Sequence, residues 1–385
     1  MRCPFIHAGA GRSCDPHAFD HDDIVLTTYG TLRNDALKLA KIPFDTCILD
    51  ESQTIKNAHA AAAEAARLIK ADFRIAMTGT PIENSLSELA SQLEFLNPGL
   101  FGNLLGTPTF APNGQIPAKT LEKIRKAVHP FILRRTKQQV ATELPPKTEL
   151  VLWCELDDVQ RAEYENLRLY YRQKLLAEED EKVAGQSTMD SLVALLRLRQ
   201  AACHPGLLDS GRSSDDSAKL TLVLDKIADL AHEHHKVLVF SQFTTFLKIV
   251  GARLQQLNLP YAYLDGQTPD REAQVTSFQT NPDIAAFLIS LKAGGVGLNL
   301  TAADYIFLLD PWWNPATEAQ AIDRAYRIGQ TSHVFACKVI TKDTIEEKVL
   351  QMQQNKRKLA ASILDHENSG QPPKFTLEDL DFLLS

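Results

Sequence analysis

The sequence predicts an α/β protein with parallel sheets in two lobes, and three observations carry that reading. Short apolar, β-rich runs alternate with helical patterns in the first third of the chain. The alternation restarts after residue 235, with no close repeat joining the two stretches. Between them lie a Gly/Pro-rich excursion, a basic segment and a long polar helical pattern.

In chain order, Asp23–Tyr29, Phe44–Asp50 and Phe73–Thr78 read as buried parallel strands. The alanine-rich stretch Ala58–Lys70 reads as the helix between the last two. Asn97–Pro117 is a surface excursion. It leads into a basic segment in which Lys119, Lys123, Arg125, Lys126, Arg134, Arg135 and Lys137 face only Glu122, a pattern that also suits a solvated helix. Val151–Glu155 is a candidate strand, Asp157–Lys182 a long polar helix, and Asp209–Ser217 a flexible linker. The second series of strands is Lys236–Ser241, Tyr261–Asp265, Ala286–Ser290, Tyr305–Asp310 and Val334–Ile340. These divide the chain into a first lobe over 1–147, a helical linker over 148–217, a second lobe over 218–368 and a tail over 369–385.

Composition excludes several classes. With 44% hydrophobic and 23% charged residues in 385, the chain is neither disordered nor fibrous. Its apolar runs fall short of the about 20 residues that span a bilayer. Six scattered cysteines with no CxxC pair argue against a zinc cluster or a disulfide framework, and for a reducing compartment. His204, beside Cys203, reads as a turn residue, and His232–His235 as a polar helix end. A net charge of -7 carries no basic excess, so contact with phosphates depends on local patches.

The chemistry gathers at strand ends. Asp50 and Glu51 close the second strand, where ligands of open α/β sheets bind; paired carboxylates there suit magnesium–nucleotide chemistry, and equally suit helix caps. Thr78-Gly79-Thr80-Pro81 ends the next strand with small donors, or with a capped turn. Lys292–Thr301 is a glycine-rich loop that permits close backbone approach to a phosphate. Arg324 and Arg327 are predicted to share a helix face with Gln320, as paired forks for phosphoryl charge or as a salt-bridged surface. Trp312 and Trp313, between prolines, suit packing or a nucleic-acid backbone.

The ordered blocks Thr27–Gly30, Leu49–Asn57, Thr78–Asn84, Phe131–Lys137, Glu143–Lys147, Val239–Phe243, Leu264–Gly266, Ala293–Thr301, Trp313–Pro315 and Asp323–Gln330 resemble those of the Swi/Snf-type superfamily-two helicase-like ATPases. The resemblance covers nearly the whole chain. It implies two RecA-like lobes that grip double-stranded DNA, with ATP and Mg2+ in the cleft and DNA-bound protein complexes as targets. Asp50 would assist Mg2+, Glu51 would polarise water, and Arg324 and Arg327 would act as arginine fingers. Gly79, Thr80, Gly295 and Gln320 match nucleotide-linked positions. Lys56, Asn57, Ser241, Gln242, Asn299, Thr301 and Trp313 match positions on the DNA groove or cleft, and Arg134-Arg135 resembles a brace between lobes. The implied location is a bacterial cytoplasm, or a nucleus in a eukaryote.

The departure lies at the front. The family's first lobe opens with a GxGKT phosphate loop, yet none of the 18 glycines here is followed by lysine. The expectations are a first lobe without its opening strands, an exposed sheet edge prone to association, and weak or absent ATP hydrolysis unless another polypeptide supplies the loop. The alternative is a non-catalytic module that keeps DNA-binding or partner-binding surfaces.

Overall fold

The computed structural model describes residues 5–9, 12, 24–79, 86–100, 126–133, 135–179, 184–293 and 298–364. The chain divides into two compact units, one running to Leu133 and the other from Arg134 to Asn355.

In the first unit β1 (Phe5–His7) pairs in parallel with β2 (Val25–Thr27). Helix α1 (Tyr29–Leu39) follows at once because the Thr28 hydroxyl caps it, accepting from the Thr31 amide at 3.1 Å. The predicted strand over Asp23–Tyr29 is therefore cut short. Strand β3 (Pro43–Leu49) pairs in parallel with β4 (Lys70–Ala76), with α2 (Ala61–Leu68) between them and α3 (Leu86–Leu96) after. The strand expected at Phe73–Thr78 starts three residues earlier. Ile69, extended and buried, ends α2, and Arg74 is anchored at 2.8 Å to both the Ile69 and Phe95 carbonyls. Leu32, Leu39, Leu49, Ile55, Ala66 and Phe95 build the core on one side. The other side is open, with Phe73 71% and Ile48 55% exposed, so these strands are not buried on both faces as the apolar runs predict.

The second unit is one six-stranded, all-parallel sheet in the order β5-β10-β9-β6-β8-β7. In chain order its elements are β5 (Lys147–Cys154), α4 (Asp158–Glu179), α5 (Ala184–Cys203), α6 (Ala218–His232), β6 (Val237–Ser241), α7 (Thr244–Gln256), β7 (Tyr261–Leu264), α8 (Arg271–Thr280), β8 (Ala286–Ser290), β9 (Tyr305–Leu308), α9 (Pro315–Ile322), β10 (Val334–Thr341) and, as far as Asn355, α10 (Ile345–Leu364). Every residue of β6 and β8 is buried, the pattern of a parallel strand covered on both faces. Two cores lie on the two sides of this sheet, one around Phe240, Phe278 and Phe287, the other around Val239, Phe246 and Phe307.

Two expectations change here. Strand β5 begins at Lys147 rather than Val151 and is an edge strand of the sheet, paired with β10 from Lys147 to Cys154. The segment 209–217 is no flexible linker. Arg212 pairs with Glu163 at 3.0 Å and Asp215 at 2.8 Å, and Arg253 reaches Asp216 at 2.7 Å. The segment also packs so tightly that a Cβ on Gly206 would stand 2.8 Å from the Ser213 Cα. Among the described residues no helix is long and apolar enough to cross a membrane.

Candidate functional site

In the first unit the ends of β3 and β4 stay joined beyond the strands, through Met77 N to Leu49 O at 2.8 Å and Ser52 N to Met77 O at 2.9 Å. The chain turns sharply between them because Glu51 takes φ 48°, ψ 50°, the left-handed region that a residue with a Cβ seldom occupies. Both acids are exposed. The Glu51 amide donates to Asp50 Oδ1 at 2.9 Å, and the Glu51 side chain makes no capping bond, which removes the helix-cap reading of Glu51. A relay fixes its carboxylate instead: Thr78 Oγ1 donates to Gln53 Oε1 at 2.7 Å, and Gln53 Nε2 donates to Glu51 Oε2 at 2.7 Å. Tyr29 donates its hydroxyl to the Asp50 carbonyl at 2.8 Å; burial, then the Asp50 charge, push that phenol up to about 12.

Beside the acids, Gly79 is exposed with nothing within 4 Å of where a Cβ would stand. Lys56 closes the 3-10 turn Ser52–Ile55, its amide donating to Gln53 O at 3.1 Å, while Asn57 is exposed and accepts from the His59 amide at 3.0 Å. Thr80 lies outside the described residues. The acid pair fits a hydrated Mg2+. Two exposed carboxylates stand at a strand end, and no cluster of three or more metal-ligating side chains occurs among the described residues. That donor set suits an ion that arrives with nucleotide phosphates better than one caged by protein.

In the second unit two clusters form. The first joins the loops after β6 and β9. Ser241, expected on a DNA groove, is fully buried and donates its hydroxyl to Asp310 Oδ1, so it supports the loop from behind. The Gln242 amide donates to the same carboxylate at 3.2 and 3.3 Å. Burial raises the Asp310 pKa, while Arg199 and the Ser241 hydroxyl oppose that rise. Arg199, on α5, donates to the Pro311 carbonyl, stands 4.0 Å from Asp310 and lies over the rings of Trp313 and Phe243, at 5.1 and 5.9 Å. Sequence reading missed this residue; its only signal is that it is one of two arginines, with Arg197, in the otherwise mostly apolar stretch Leu192–Ala202. Trp313 is half-buried against a cluster containing Tyr164 and Leu195. Trp312 packs into the main core, and its amide donates to Glu318 at 2.8 Å.

The second cluster holds the arginines. Helix α9 ends at Ile322, so Arg324 and Arg327 do not share a helical face with Gln320, which stays half-buried on α9. The chain continues as tight turns, with Arg324 N to Ala321 O at 3.2 Å and Arg327 N to Ala325 O at 3.1 Å. These short-range bonds replace the helical repeat, and Gly329, at φ 101°, then turns the chain away. Arg324 is buried and its carbonyl accepts from the Leu300 amide at 3.0 Å. Arg327 donates to the Leu298 carbonyl at 3.1 Å. Lys137 holds the start of this turn, reaching Asp323 and the Tyr326 carbonyl at 2.7 Å each. Asn299 is exposed; its carbonyl accepts from Gln279 at 2.6 Å, and the Thr301 carbonyl accepts from Gln330 at 3.2 Å. Gly295 and Arg134 lie outside the described residues.

The structure thus groups Asp50, Glu51 and Gly79 in one unit, and Asn299, Thr301, Arg324 and Arg327 in the other, apart from the Ser241–Gln242–Trp313 cluster.

The SNF2-related domain family matches residues 5–207, and the helicase conserved C-terminal domain matches residues 218–329. YwqA of Bacillus subtilis, named as an ATP-dependent helicase/translocase, is 35% identical over 366 residues, covering 91% of this chain and 39% of that protein. The TATA-binding protein-associated factor MOT1 of Saccharomyces cerevisiae is 32% identical over 420 residues, covering 93% of this chain and 22% of that protein. The chain therefore spans well under half the length of these relatives. The SWI2/SNF2 ATPase core domain of Sulfolobus solfataricus superposes with a TM-score of 0.50 at 32% identity, covering 99% of this chain and 78% of that one. With half the chain inside the first match and most of the rest inside the second, the protein belongs to the SNF2-related, helicase-like ATPase family and has its α/β, RecA-like fold.

Proposed function

We propose that the chain is part of an ATP-dependent double-stranded-DNA translocase of the Swi/Snf type, acting on protein–DNA complexes in the cell's DNA-containing compartment. The observation that carries this reading is the strained Glu51, held in the left-handed region with its carboxylate fixed through Gln53 to Thr78. Backbone strain in an exposed acid persists where surrounding contacts over-determine it, and it concentrates at functional turns. In this reading Asp50 holds the nucleotide's magnesium, which would supply charge neutralisation of the phosphates. Glu51 orients water, Gly79 and Thr80 pass the nucleotide's state along the strand end, and Arg324 and Arg327 stabilise phosphoryl charge. Gly295 and Gln320 assist nucleotide contact, while Lys56, Asn57, Gln242, Asn299, Thr301 and Trp313 serve the duplex. Ser241 serves it through Asp310.

A lysine in a glycine-rich loop supplies the largest fixed positive charge to the β- and γ-phosphates in P-loop enzymes. No glycine in this chain precedes a lysine. The chain by itself therefore turns over ATP weakly or not at all, and an accompanying polypeptide with such a loop would restore it. The same observation favours a second reading, a module that binds DNA or partners without motor activity.

Titrating a fluorescent adenine nucleotide against the chain, with and without duplex DNA, tests both. Duplex-linked nucleotide binding that weakens in Arg327→Ala supports the motor. Salt-sensitive duplex binding indifferent to nucleotide supports the module. Brisk DNA-stimulated hydrolysis abolished by Glu51→Gln would overturn the weak-turnover part.

A further inference from the structure

We propose that Gln330 is a positioning residue that makes the arginine-bearing turn and the Leu298–Ala303 loop move as one body. The inference rests on the reading that this loop and turn serve DNA and nucleotide. Gln330 is buried (6% exposed) and its side chain is saturated. Its Nε2 faces the carbonyls of Thr301 at 3.2 Å, Ala303 at 2.9 Å and Ala325 at 3.2 Å, and its Oε1 accepts from the Thr331 and Ser332 amides at 2.9 and 2.8 Å.

Two of those carbonyls belong to the loop and one to the turn, so a single amide group spans both segments. Two further bonds cross the same seam, Arg327 Nη1 to Leu298 O at 3.1 Å and Leu300 N to Arg324 O at 3.0 Å. Gln330 N also donates to Arg327 O at 2.9 Å, tying the hub to the residue that carries the guanidinium. Buried carbonyls need donors, and the two side-chain N–H groups of Gln330 serve three of them. A displacement of Arg327 thus reaches Thr301 and Ala303 through Gln330, alongside the two direct bonds at Leu298 and Leu300.

The test is charge-specific. In Gln330→Glu the ionised carboxylate still accepts from Thr331 and Ser332 but offers the three carbonyls no donor; once protonated, it regains one. Duplex affinity of Gln330→Glu should be about tenfold weaker than wild type at pH 8 and recover toward wild type by pH 5.5. Gln330→Ala should stay weak across that range. The charged groups around the hub are Arg324, Arg327, Asp323, Lys137 and Lys147, with His333 three residues on, and all remain in the wild-type control.

Amide exchange by mass spectrometry gives a reading that needs no DNA. In Gln330→Ala, residues 298–303 and 323–330 should lose protection together while β6 and β8 keep theirs. Exchange that rises only at 331–332, or an affinity profile for Gln330→Glu parallel to wild type, would overturn the proposal. A wild-type chain that fails to bind duplex would overturn the DNA reading while the exchange result still decides the coupling. If Gln330→Ala does not fold, the same exchange comparison is made on Gln330→Glu between the two pH values.

Discussion

Arg199 lays its guanidinium over the indole of Trp313, 5.1 Å from the ring centroid, while donating to the Pro311 carbonyl. A planar, weakly hydrated fork stacks flat on the indole while its fixed N–H groups reach the carbonyl; an ammonium is a compact, strongly hydrated charge with no plane to stack. Arg199→Lys should therefore loosen the Trp313 turn at a cost of about 1–2 kcal/mol. In protein carrying Trp153→Phe and Trp312→Phe, acrylamide should quench the remaining indole more strongly after the change. Unchanged quenching would mean that the stacking does not hold the turn.

Lys219 and Glu346 meet at 2.6 Å with neither side chain accessible, and Lys219 also donates to the Leu309 carbonyl at 2.8 Å. Removing one partner strands a buried charge. Glu346→Ala or Lys219→Ala should cost about 3–5 kcal/mol in urea unfolding, and the double change Lys219→Met with Glu346→Leu clearly less than the two single costs added.

Asp35 is held at a pKa of about 2, first by its bond to Arg12 and then, against a burial effect that raises it, by His7. A depressed carboxylate adds stability in full above its ordinary pKa and loses it as pH falls toward the folded value. Unfolding of the first unit, followed by denaturant midpoint from pH 5 to pH 2, should drop steeply in that window. Asp35→Asn should start lower and fall less.

Gly206 tests how firmly the segment 209–217 is seated. A Cβ there would stand 2.8 Å from backbone, whereas at Gly211 it would meet only the Asp209 side chain at 3.3 Å. Gly206→Ala should cost about 1–3 kcal/mol, and Gly211→Ala much less. Equal melting temperatures for the two variants would revive a loose linker.

The parts of the fold legible in the sequence are those where burial is two-sided. Strands β6 and β8 are apolar throughout because both faces are covered, and their predicted ends lie within a residue of those observed. Strand β5 was legible only in part, because its first residues, Lys147–Glu149, are polar and only the apolar stretch after them reads as a strand. The polar stretch 209–217 gave no sign of order, since its charges are taken up by Glu163 and Arg253 from distant helices. The arginine turn keeps a helical spacing that its own backbone does not follow. Gln330 and the buried Tyr326 fix it through tertiary bonds, and no local pattern reports those. The acid pair was visible as chemistry, but the strain at Glu51 was not.

That strain has a practical outcome for anyone improving the protein. A left-handed backbone costs a residue with a Cβ roughly 1–2 kcal/mol, and glycine would escape it. A screen that rewards heat resistance alone will drift toward glycine at position 51 and discard the carboxylate on the way. Durability and chemistry pull this one residue in opposite directions.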